Sequence, residues 1–200
     1  MKKVLFVVLV VVLTIGCKAN QNKSDDNKLC DSIVGLIQQG TLHNDTAMLL
    51  KALNLSDSLL SIDTASFSRR FCYHNRAIIL NSLGRKEEAM KNAEMEMNLL
   101  PEDNPQRLLF MAVKQLKEDE KDSADIYLEK VLSVCKLAQK QKFDENMVFY
   151  TIQALYLRYG DKTAKTYLLK LLNEHPNNQM LQYAKDNWGE LKRNILESWR

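Results

Sequence analysis

The sequence predicts an all-α protein built of about three to four antiparallel helix pairs and closed by a C-terminal capping helix. Three observations predict it. Turn residues are scarce: 6 Gly and 3 Pro in 200 residues, too few for the tight turns of a β-rich chain this size. The long stretches between them are dominated by Ala, Leu, Lys, Glu, Gln and Met, the good helix formers. One punctuation also recurs. In SLGRKEEAMKNAEMEMNLLPEDN (82–104) a Gly is followed by Ala89, and Ala93, Glu96 and Pro101 stand 4, 7 and 12 residues after that Ala.

In chain order, the first element is MKKVLFVVLVVVLTIGC. Two lysines precede an apolar run from Val4 to Ile15. Twelve helical residues rise about 18 Å, short of a ~30 Å hydrocarbon core, so the run reads as an export signal over 1–16. Gly16-Cys17 resembles the lipobox of bacterial lipoproteins, although Thr14 stands where that box carries Leu. The resemblance implies cleavage before Cys17 and acylation, including palmitate, of Cys17. Residues 17–28 are almost wholly polar and read as a flexible tether; residues 29–200 form the repeat domain. Asp25-Asp26 loosely resembles the acidic surface-export signals of some Bacteroidetes lipoproteins.

Lys2 and Lys3 are the only charges before Cys17, so the net charge of +3 falls to +1 without the leader. No field remains to gather nucleic acid. Three cysteines follow Cys17. Cys30, Cys72 and Cys135 read as small buried hydrophobes on helices, one pair plus a free thiol being the alternative.

The first pair consists of 29–40 and a second helix that starts early, near Asn44 or Asp45, with Ala52, Ser56 and Leu59 in the repeated places. The second pair is 67–84, ended by Gly84 in a left-handed turn, and the helix carrying Ala89. Glu87 and Glu88 suit that helix's positive end. In the third, Asn104 and Pro105 cap the first helix. The second helix carries Ala124, Leu128 and Val131, with Glu-Asp-Glu in place of the Gly. In the fourth, Gly160 precedes Ala164, Leu168, Leu171 and Pro176. The successive Ala spacings are 37, 35 and 40. Ala77 and Ala112 on the first helices keep step, 35 apart, while Ala154 is out of step by two, which predicts a distorted fourth pair. Leu181, Ala184, Trp188, Leu191 and Ile195 give the tail an apolar face, and Gly189 is the place for a kink or split.

This punctuation resembles the tetratricopeptide repeat (TPR), a helix–turn–helix unit with a period of about 34 residues. The likeness covers 44–178 and is strongest at 70–103. It implies an α-solenoid with a groove lined by first helices, where family members bind peptides or protein segments. The groove positions it implies are Phe71, His74, Asn75, Ile78 and Asn81 in one unit, and Gln106, Leu109, Val113 and Lys117 in the next. His74 and Ile78 stand where carboxylate-clamping members carry Lys and Asn, so no carboxylate capture is expected.

Catalysis finds no motif: neither G-x-S-x-G, H-E-x-x-H, a P-loop nor G-x-G-x-x-G is present. Carboxylates are expected on exposed helix faces, often in i,i+4 pairs with Lys, and Arg69-Arg70 reads as a solvated helix start. Met90, Met95 and Met97 read as core or convex packing, and Tyr150, Tyr156 and Tyr159 as packing between helices. No metal site is expected from Cys72 and His74, no cofactor is implied, and the oligomeric state is not encoded in any motif. The expected function is a lipid-anchored, protein-binding adaptor or assembly scaffold, not an enzyme. Its place is the bacterial cell envelope, on the periplasmic or surface face of the outer membrane. The alternatives are an accessory or cryptic hydrolase of cell-wall metabolism and a non-binding spacer.

Overall fold

The computed structural model describes residues 24–62 and 66–197. The leader 1–16 and Cys17, the lipid-attachment residue, lie outside the described residues. Ten α-helices and no strand are present among the residues described. They are α1 (Ser24–His43), α2 (Thr46–Ile62), α3 (Ser66–Ser82), α4 (Lys86–Asn98) and α5 (Pro105–Lys117), then α6 (Lys121–Gln141), α7 (Glu145–Tyr159), α8 (Asp161–Glu174), α9 (Gln179–Asp186) and α10 (Trp188–Glu197). Consecutive helices pack in pairs, α1 on α2, α3 on α4, α5 on α6 and α7 on α8. This is the all-α, solenoid-like architecture expected. The chain divides into two compact units, Met1–Leu99 and Leu100–Arg200.

In the first unit, α1 begins inside the polar stretch 17–28 and runs through Gly40 to His43. A Cβ on Gly40 would lie 2.9 Å from Leu49 Cγ, so α2 passes close only because that side chain is absent. Asn44 takes a left-handed φ of 52°. Asp45 then caps α2, its Oδ1 accepting the amides of Ala47 and Met48 at 2.9 and 3.1 Å. At the α3–α4 turn Gly84 has φ +77°, and the Arg85 amide donates to Leu80 O at 2.8 Å. The core joins Ile33, Leu49 and Leu59 to Cys72, Ile79 and Leu80.

In the second unit, Asn104 caps α5 by accepting the Gln106 and Arg107 amides, with Pro105 in the first turn. Asp144 caps α7 in the same way. Asp119 stands five residues before Ala124, as Gly84 stands five before Ala89, and it too is left-handed, at φ 63°. The Glu120 amide donates to Gln115 O at 2.9 Å, the counterpart of the bond at Arg85. The bend is therefore kept without its glycine.

Ala89, Ala124 and Ala164 each lie three residues beyond the first residue of α4, α6 and α8. They are 8, 0 and 0 % exposed. Their amides bond the carbonyls of Arg85, Glu120 and Gly160. The two-residue slip of Ala154 has a simple cause. Three residues, 83–85 and 118–120, separate the helices of the second and third pairs, whereas Gly160 alone separates α7 from α8. Gly160 holds φ 83° and ψ −177°, a region that essentially only glycine occupies. The fourth pair has a shorter joint, and Ala154 is buried in the core that Leu109 and Leu128 share.

The tail differs from the single capping helix expected. It breaks at Asn187, whose amide and side-chain Nδ2 both donate to Tyr183 O at 2.9 Å. Gly189 lies just past the break, inside α10. Leu181, Ala184 and Trp188 nevertheless join the core formed by Val148, Ile152 and Leu168, so the apolar end of the unit is covered.

Candidate functional site

Seven residues after the repeated Ala, α2, α6 and α8 carry Leu59, Val131 and Leu171, which are 1, 0 and 8 % exposed. In α4 that place holds Glu96, 4 % exposed. A carboxylate taken from water needs partners, and α3 supplies them. His74 Nδ1 lies 3.0 Å from Glu96 Oε2, and Arg70 Nε lies 3.6 Å from Oε1. Both partner side chains remain about a third exposed. The pair is therefore dry on its acidic side and wet on its basic side.

Two expectations are corrected here. Not every carboxylate lies on an exposed face, because the position of Glu96 in its helix points it at α3. Nor is Arg70 merely solvated, since it sits on that carboxylate. Arg69 is exposed and bonds Tyr73 Oη at 3.4 Å.

The polar seam continues along α3 and α4. Arg76 Nε donates to Asn92 Oδ1 at 2.9 Å, and Asn92 Nδ2 donates to Glu88 O at 2.8 Å. The Arg76 guanidinium also pairs with the Asp57 carboxylate of α2. Burial, and after it the neighbouring Arg85 cation, lowers the pKa of Arg76. At the exposed start of α4, Arg85 grips Glu88 with two bonds of 2.6 Å. That contact holds the Glu88 carboxyl below its usual range.

Beside the seam, α2, α3 and α4 enclose an open cleft of about 600 Å³. Its lining includes Asp57 and Leu60 from α2, Tyr73 and Arg76 from α3, and Lys91 and Met95 from α4. Met95 is half exposed. The cleft thus offers a phenol ring, a thioether, an aliphatic side chain and both signs of charge on three helices.

The residues drawn from the sequence lie elsewhere. Phe71 and Ile78 pack against the first unit's core. Asn75 is buried and donates to Phe71 O at 2.8 Å. His74 is engaged by Glu96, and Asn81 is exposed near the end of α3. In the second unit Leu109 and Val113 are buried, Gln106 is half-buried and Lys117 is exposed. None of the nine lines the cleft. One signal of the seam was available: the offset alignment sets Glu96 in register with Val131 and Leu171. The cleft had none, because a gap between helices depends on packing and not on spacing.

Cys72 and Cys135 are buried and Cys30 is half-buried. Burial raises the Cys135 pKa to about 11. Met97 is buried, Met90 half-buried and Tyr159 53 % exposed, beneath the Arg158 guanidinium. His175, at the end of α8, leans on Phe143 with ring centroids 4.4 Å apart. Among the described residues no cluster of His, Cys, Asp and Glu could hold a metal ion, and no helix is long and apolar enough to cross a membrane. Comparison with family models, with curated proteins and with solved structures gives no match in any of the three.

Proposed function

We propose that this chain is a TPR-like, lipid-anchored adaptor that holds a segment of a partner protein at a membrane of the bacterial cell envelope. The observation that carries the binding half is the α2–α3–α4 cleft. It is edged by Tyr73 and the half-exposed Met95, and polar groups are fixed along its floor by the Arg76–Asn92 contact. Helices hold such a surface at little ordering cost, and a methionine adapts to an irregular apolar ligand. The anchor half is supported by Gly16-Cys17 behind a short apolar run. Several acyl chains would make that attachment stable.

The test is photocrosslinking in intact envelopes from a reactive amino acid placed at Met95, and separately at Asn81. The expected result is one partner protein captured at Met95, with the yield falling at least fivefold when Tyr73→Ala and Lys91→Glu are added. No discrete adduct at either position, or an adduct indifferent to those substitutions, overturns the binding reading. For the anchor, Cys17→Ala is expected to abolish palmitate labelling, and labelling that persists overturns it.

A further inference from the structure

The outer faces of α6 and α8 are rich in exposed lysine. Residues 130–142 contain Lys130, Lys136, Lys140 and Lys142 and no carboxylate. Residues 162–173 contain Lys162, Lys165 and Lys170 and again none. All seven lysines are exposed. Among them stand two large apolar side chains turned to water, Leu137 at 63 % and Leu169 at 39 % exposure. The two helices touch where Tyr167 Oη of α8 donates to Gln139 Oε1 of α6 at 2.9 Å.

Three carboxylates nearby are already engaged. Asp125 and Glu129, on the first half of α6, hold Arg158 of α7 at 3.6 and 2.6 Å. Glu174 faces Lys170 at 3.9 Å. The second helices of the first unit show nothing comparable: α4 mixes Lys86 and Lys91 with Glu87 and Glu88, and α2 has Lys51 and Asp57 as its only charges.

From this we infer that the α6–α8 face docks on an anionic lipid surface, its lysines among the headgroups and Leu137 and Leu169 in the interfacial layer. A cationic face with leucines at its centre suits a bilayer interface, where charge attracts and apolar side chains insert. The inference extends the membrane-attached reading above. It gives the second unit a preferred side toward the lipid.

The experiment uses the full chain with a photoreactive amino acid at Leu137. It is mixed with vesicles of phosphatidylcholine alone or with a third of phosphatidylglycerol. Flotation on neutral vesicles reports N-terminal attachment; lipid adducts at Leu137 report docking. Each lysine near an anionic surface strengthens association about fivefold. Lys136→Gln, Lys140→Gln and Lys170→Gln together should therefore weaken docking about 100-fold.

The expected result is an adduct at Leu137 at least tenfold more abundant on anionic than on neutral vesicles. It should vanish in the triple variant, and when salt rises from about 0.1 to 1 M, which shortens screening from ~10 to ~3 Å. Equal yields on the two vesicles, or yields that survive the triple variant, overturn the docking. A chain that floats on anionic vesicles alone supports docking and refutes the anchor. One that floats on neither refutes both.

Discussion

The pairs α3–α4 and α7–α8 have one plan and opposite interiors. Each places an Ala three residues into its second helix, and the contrast lies four and seven positions further on. In α8 those are Leu168 and Leu171, dry and packed against Val148 and Ile152. In α4 they are Ala93 and Glu96, and the seam is filled by Arg70, His74, Arg76 and Asn92. The plan survives the exchange because the close approach is set by the small residue near the start of the helix. What lies beyond that contact is free to vary between packing and charge.

The largest effect should come from the dry pair. Leu168→Ala empties a fully buried site and is expected to cost about 3 kcal/mol in urea unfolding, within the range for buried leucines. A loss below 1 kcal/mol would mean that the α7–α8 interior is not close-packed. The joints come next. Gly160→Ala forces a side chain into a region closed to it, at about 2 kcal/mol. Gly84→Ala meets the milder left-handed region, at about 1 kcal/mol. Nothing crowds a Cβ at either place, so backbone strain alone sets the order, and thermal melts of the two variants should preserve it.

A sharper probe of the contrast is Glu96→Leu, which gives α4 the kind of residue its sister helices carry. Arg70 and His74 are a third exposed and can turn to water. The change should therefore stay within about 1 kcal/mol of the parent. A loss of 3 kcal/mol or more would show that the seam needs its charge.

The smallest effect concerns an ionic tie at the start of α8. Asp161 accepts from Lys192 and from Trp188 Nε1, each at 3.0 Å. The Lys192 contact, then the Trp188 contact, lowers its pKa. A lowered folded-state value stabilises above the ordinary aspartate range, and the gain is lost as pH falls through that range to the folded value. The melting temperature of the parent should accordingly fall toward that of Asp161→Asn below about pH 3.9. A difference unchanged by acid would remove the carboxylate from the account.

Much of this frame is written in local chemistry. Asn104-Pro105, Gly84 and the spaced alanines each act through their own backbone or nearest turn, so a linear reading finds them. Asp45 and Asp144 cap helices for the same reason. The break at Asn187 was hidden because one side chain competing for one carbonyl outweighed the glycine two residues on. The seam was half visible, as a charge standing in an apolar register. Its partners were not, because Arg70 and His74 precede Glu96 by 26 and 22 residues and meet it only through packing. The cleft is further still from the string of letters: it is a space between three helices, and no residue type spells a space.

Asp119 carries one more consequence. It makes the bend that Gly84 makes, at a penalty of about 1 kcal/mol that a stack of several hairpins can absorb. Drift in such a molecule erases spelling before it erases posture. Kinship among chains of this kind would then be traced more faithfully by the sequence of left-handed joints than by the amino acids that occupy them.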